Sequence, residues 1–149
     1  MNAGEVCNRE VVIVNRESSI QEAAKLMRKY HVGDVIVMEE KQGIRVPVGI
    51  LTDRDIVIAI VARDLKAGEV QVGDAMSFDL LTAREEDEIL ETVKLMRGKG
   101  VRRIPVVNST GGLEGIIAVD DLIDLLAEQV ADLVALITTE QRHERRNRS

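Results

Sequence analysis

Tryptophan is absent from this chain, and Tyr30 and Phe78 are its only aromatic residues. Proteins that hold single-stranded nucleic acid stack successive bases on several rings, and those rings are missing. An excess of positive charge is missing too. The net charge is -6, whereas a general nucleic-acid binder needs a positive surface to displace counterions. No nucleic-acid partner is expected. Cys7 is the only cysteine, so no internal disulfide forms. Met1-Asn2-Ala3-Gly4-Glu5 lacks the basic stretch and apolar run of a secretory signal, and a cytoplasmic location is expected. No apolar run is long enough to span a bilayer, so no membrane partner is expected either. His31 and His143 have no Cys or acidic companions at metal-ligand spacing. No nucleophile-base pair or glycine-rich phosphate loop stands out, so an enzyme is not expected and no cofactor is required.

What is present is a core and a repeat. Hydrophobic residues make up 45% and charged residues 31% of 149, enough for one compact domain or two very small ones. One constant shift carries Gly4 onto Gly73, Glu17 onto Glu86, Ile20 onto Ile89 and Lys25-Leu26-Met27-Arg28 onto Lys94-Leu95-Met96-Arg97. A shorter shift then carries Gly49-Ile50 onto Gly115-Ile116 and Asp55 onto Asp121. The first repeat therefore has three extra residues, expected in a loop around Glu39 to Val46, where insertions are tolerated.

Each repeat has the same periodicities. A short apolar run comes first, Val11-Val12-Ile13-Val14 or Leu80-Leu81. A helix follows, with Ile20, Ala23, Ala24 and Met27, or Ile89, Val93 and Met96, at helical spacing. Ser19 and Glu22 make a capping-box pattern. Gly33 and Gly98/Gly100 stand near the helix ends, where glycine takes a left-handed conformation. Two strands come next, Val35 to Met38 with Val46 to Leu51, and Ile104 to Val107 with Leu113 to Ile117. A helix closes each repeat, from Asp53 to about Leu65 and from Asp120 onward. The last helix continues with Leu122, Leu125, Leu126, Val130, Leu133, Val134 and Ile137 to about Glu140, before a basic tail.

Two phrases carry a family resemblance: Gly49-Ile50-Leu51-Thr52-Asp53-Arg54-Asp55-Ile56 and Gly100-Val101-Arg102-Arg103-Ile104-Pro105-Val106-Val107. With the repeat, they make the chain resemble a stand-alone pair of CBS (cystathionine-β-synthase-type) domains, a Bateman module. The resemblance implies an α+β fold of two β-α-β-β-α repeats related by a pseudo-two-fold axis, 4–66 and 73–127, plus a C-terminal helix extension and basic tail, 128–149. It implies a regulatory module that binds an adenine nucleotide, AMP, ADP, ATP or an NAD-type molecule, and that associates as a homodimer and signals to a separate partner protein. A ligand-free scaffold is the alternative.

The resemblance also implies the site residues. In the first cleft Thr52, Asp53, Arg54 and Asp55 face Arg102 and Arg103 from the other repeat. A carboxylate can accept two hydrogen bonds from a ribose diol, guanidinium groups match phosphate oxygens, and a helix start offers backbone N–H groups. Adenine is expected against aliphatic strand residues. In the second cleft Asp121 faces Gly33-Asp34, with Ala118 at the threonine position and Asp34 expected to repel a phosphate. Asp55 and Asp121 also fit plain helix capping, and Arg102 and Arg103 fit surface ion pairs.

Overall fold

β-Branched residues concentrate in the first repeat at Val11 to Val14, Val35 to Val37 and Ile44 to Ile50, and each stretch contributes a strand. A computed structural model describes residues 1–148. In it β1 (Ile13–Asn15), β2 (Asp34–Lys41) and β3 (Ile44–Thr52) form one sheet in the order β1-β2-β3. β1 runs parallel to β2 with Ile13 opposite Ile36, and β2 runs antiparallel to β3 with Asp34 opposite Thr52. The second repeat builds a like sheet from β4 (Ala83–Arg84), β5 (Arg103–Val107) and β6 (Leu113–Ala118). Its first strand forms just after Leu80-Leu81 rather than on them.

Helix α2 (Ile20–Tyr30) buries Ile20, Ala23 and Met27 on one stripe. Ser19 Oγ accepts from the Glu22 amide at 3.1 Å, the Ser19 half of the expected capping box. Its partner α4 (Ile89–Lys99) buries Thr92 and Met96. The left-handed residue that ends each helix is His31 (φ 55°) in the first repeat and Gly100 (φ 68°) in the second, which are equivalent positions. Gly33 does not take that role. A Cβ there would come within 3.2 Å of the Asp53 carboxylate, a tight approach that the absence of a side chain relieves.

The three extra residues of the first repeat do not make a loop. They lengthen the hairpin, which turns tightly at Gln42 (φ 53°) and Gly43 (φ 78°), the two positive φ angles of a turn that matches strand twist. The second hairpin is shorter. Asn108 Oδ1 closes it by accepting from the Thr110 and Gly112 amides, both at 3.0 Å.

The segment that opens each repeat in the chain bonds to the other repeat in space. Helix α1 (Ala3–Val6) and its flanks lie on the second repeat. Ala3 N donates to Asp87 O and Gly4 N to Glu85 O, both at 2.8 Å, and Asn8 forms a bridge with Ile116. The equivalent segment lies on the first repeat, where Val72 N donates to Ser18 O at 2.7 Å and Ser77 bridges Ile50. Val72 and Met76 accordingly belong to the core cluster around Val14, Ile20, Met27, Val35, Val37 and Leu51. These matched bridges give the two repeats their pseudo-two-fold relation.

The closing helix of the first repeat is short. Asp53–Ile56 (α3) passes into a π-helical turn, Val57–Val61, where the β-branched run crowds a regular helix. It ends at Asp64, φ 54°. The second repeat closes instead with α5, Val119–Arg148, longer than the end near Glu140 that the apolar stripe predicts. The chain divides into two compact units, Met1–Ile117 and the residues from Ala118 onward.

Candidate functional site

The strand-to-helix corner after β3 is fixed by reciprocal capping. Thr52 Oγ1 accepts from the Asp55 amide at 3.1 Å, and Asp55 Oδ2 accepts from the Thr52 amide at 2.9 Å. The remaining amides of the corner are also committed. Asp53 N donates to Gly33 O at 2.9 Å, and Arg54 N to Asp53 Oδ1 at 2.8 Å. The helix start therefore does not offer the Asp53, Arg54 and Asp55 N–H groups to an anion, contrary to the expectation from sequence. Thr52 and Asp55 are half-buried, while Asp53 and Arg54 are exposed. Asp55 keeps Oδ1, and Thr52 keeps a hydroxyl proton to donate.

Arg103 reaches this corner from the second repeat. Its guanidinium pairs with the Asp34 carboxylate at the start of β2, directly across the ladder from Thr52. The same guanidinium and the Asp53 carboxylate both border the position that a Cβ on Gly33 would take, at 3.8 and 3.2 Å. The side chains are 35% exposed for Arg103 and 13% for Asp34. Burial pushes the Asp34 carboxyl above the usual carboxylate value, Arg103 offsets part of that rise, and Asp53 adds to it. Asp34 thus belongs with Arg103 at the first-repeat corner, and its charge is already met. Arg102, exposed, precedes β5 and is engaged in interactions of its own.

A cavity of about 690 Å³ opens at the same end of the first sheet, lined by Asn8, Glu10, Val11, Val12, Ile13, Leu26, Tyr30 and Val32. Val12 O accepts from Ile36 N, which places Val11 and Val12 beside the start of β2. The volume lies within the range of small-ligand sites. Its wall is mainly aliphatic, as expected, but it also includes the aromatic ring of Tyr30, which the sequence reading did not assign to the site. Tyr30 is the last residue of α2 and is 52% exposed. The signal available was its position three residues before Gly33. The equivalent position in the second repeat is Lys99, paired with Asp79 at 3.6 Å.

Asp121 stands in the first turn of α5, with Ala118 ending β6. Both fall in the second compact unit, and Gly33 and Asp34 in the first. Among the described residues no group of three or more His, Cys, Asp or Glu is arranged to hold a metal ion, and no helix is long and apolar enough to cross a membrane. Cys7 is half-buried, and burial raises its thiol pKa, which disfavours the reactive thiolate.

The duplicated sheets, the swapped opening segments and the Thr52 corner define a class, and comparison with known proteins gives it a name. The CBS domain family matches residues 3–62 and 72–128, and the chain belongs to that family, carrying two repeats in tandem. An uncharacterized protein of Methanopyrus kandleri is 36% identical over 133 residues, 89% of this chain and 66% of that protein. The CBS domain-containing protein YhcV of Bacillus subtilis is 35% identical, with 76% of each chain covered. The solved cytosolic domain of the Mg2+ channel MgtE, in complex with ATP, superposes with a TM-score of 0.70 at 25% identity, covering 83% of this chain and 48% of that one.

Proposed function

We propose that this chain is a regulatory module that binds an adenine nucleotide at the first-repeat corner and passes the binding on as a conformational change to a separate protein. The single observation that supports this reading is the approach of Arg103 from one repeat to Asp34, which stands opposite Thr52 on the ladder, and to Gly33, beside Asp53, in the other. Asp55 Oδ1 takes a ribose hydroxyl, and Thr52 donates to a phosphate oxygen. Arg103, with its neighbour Arg102 and with Arg54 beside Asp55 in the chain, supplies positive charge. Adenine lies against Val11, Val12 and Tyr30. AMP, ADP, ATP and NAD all present this adenosine-phosphate end. A related structure that holds ATP supports the ligand class. The module works as a cytoplasmic homodimer and not as an enzyme.

Binding has to reorganise the site. Arg103 is already paired with Asp34, so a phosphate must share or displace that partner. This provides a route to a signal, because the pair joins the two repeats.

The committed capping role of Asp55 and the Asp34–Arg103 pair also favour a second reading, a scaffold that keeps the fold without a ligand. Thermal denaturation against a panel of AMP, ADP, ATP and NAD separates the two. A ligand of the native state raises the melting temperature as RT ln(1 + [L]/Kd). A shift that Asp55→Ala removes and Asp121→Ala leaves largely intact supports the sensor. No shift with any adenine compound leaves the scaffold.

A further inference from the structure

Helix α5 carries a seam that the nucleotide site does not use. Ile123, Val130 and Ile137 recur at every seventh residue, and Leu126 and Leu133 follow the first two by three. Apolar residues spaced alternately by three and four make the heptad seam along which helices pair. All five are more than half exposed, from 55% at Ile137 to 61% at Leu133. An apolar stripe on this scale calls for a covering surface.

Charge along the helix says what covers it. Up to Leu133 the helix carries Asp120, Asp121, Asp124, Glu128 and Asp132 and no lysine or arginine, whereas its basic residues all follow Ile137. An anionic lipid surface is repelled by the acidic stretch that flanks the seam. A second copy running the opposite way sets each acidic start beside the partner's basic end and opposes the helix dipoles.

We infer that α5 pairs antiparallel with α5 of a second copy of this chain. Val130 packs on the partner subunit's Leu133 and Leu126 on the partner subunit's Ile137, each layer repeated by the two-fold axis. This seam is independent of the nucleotide reading.

Sedimentation velocity on the full chain tests it, with a Val130→Asp, Leu133→Asp double variant alongside. Both positions are exposed, so the variant keeps its fold, as circular dichroism will show. The wild type should sediment as a dimer and the double variant as a monomer. Direction is read by disulfide cross-linking in a Cys7→Ser background. Leu126→Cys and Ile137→Cys chains should cross-link to one another on mixing and not to themselves. A wild type monomeric at all concentrations overturns the inference. So does a double variant that stays dimeric, self-cross-linking of Leu126→Cys, or a monomer that instead pellets with anionic vesicles.

Discussion

Arg103 and Asp34 occupy equivalent positions in the two repeats and are paired with each other. A residue meets its own equivalent only near the axis that relates the halves, so this pair marks that axis. One repeat supplies a carboxylate there and the other a guanidinium, and that difference makes the site asymmetric. Releasing Arg103 should favour a phosphate. Asp34→Asn is expected to tighten AMP binding severalfold, and Arg103→Ala to weaken it about 10- to 100-fold, the span of one charge-assisted hydrogen bond of about 1.5–3 kcal/mol. Titration of both variants with AMP checks the opposite signs.

The same pair gives a pH dependence. The folded state holds the Asp34 proton more tightly than the unfolded chain does. Its stabilising contribution is therefore complete below the unfolded value of 3.8 and is lost as pH rises through the higher folded value. Urea denaturation across that window should show wild type losing stability relative to Asp34→Asn as pH rises. Parallel profiles for the two proteins would contradict the buried, proton-retaining carboxyl.

The order of elements and the repeat were legible because hydrophobic period and register survive in the sequence. The pairing of Arg103 with Asp34 was not, since equivalence in sequence does not reveal which equivalent residues approach the axis. Asp34 therefore looked like a repelling charge in the other cleft. The helix-start amides looked available because their acceptors, Gly33 O and the Asp53 carboxylate, are set by tertiary approach and by rotamer. The hairpin insertion looked like a loop because Gln42-Gly43 is a weaker turn signal than Asn108 to Gly112. The swapped opening segments were hidden because Asn2 to Asn8 carries no periodicity that names its partner strand.

Those swapped segments depend on two equivalent glycines. A Cβ at Gly49 would stand 2.7 Å from Met76 Sδ and 2.8 Å from Ser77 O, and one at Gly115 would stand 2.7 Å from both Asn8 O and Cys7 Sγ. Gly49→Ala and Gly115→Ala should each lose about 1–3 kcal/mol, as overpacked sites do. Gly43→Ala, at φ 78° with open space around it, should lose only about 1–2 kcal/mol, from backbone conformation alone. Denaturant midpoints for the three variants measure the order.

Tyr30 offers a test that separates binding from folding. Its side chain is mostly in solvent, so Tyr30→Ala should change stability by about 0.5 kcal/mol or less, the usual range for surface substitutions. If adenine lies against the ring, the same change should weaken AMP severalfold. Unchanged affinity would remove Tyr30 from the adenine wall.

Asp55→Ala carries two effects that can be separated. Loss of the cap should cost about 1 kcal/mol in the unliganded protein, seen as a lower denaturation midpoint without nucleotide. A scaffold would show that loss and nothing more.

Isothermal titration of the wild-type chain with AMP, repeated on Arg103→Ala in the same buffer, measures most directly whether the two repeats share one phosphate-bearing site. The expected result is one saturable site per chain whose affinity falls at least tenfold in the variant. Equal affinities in the two proteins would contradict it, as would an absence of binding heat with AMP, ADP, ATP and NAD alike.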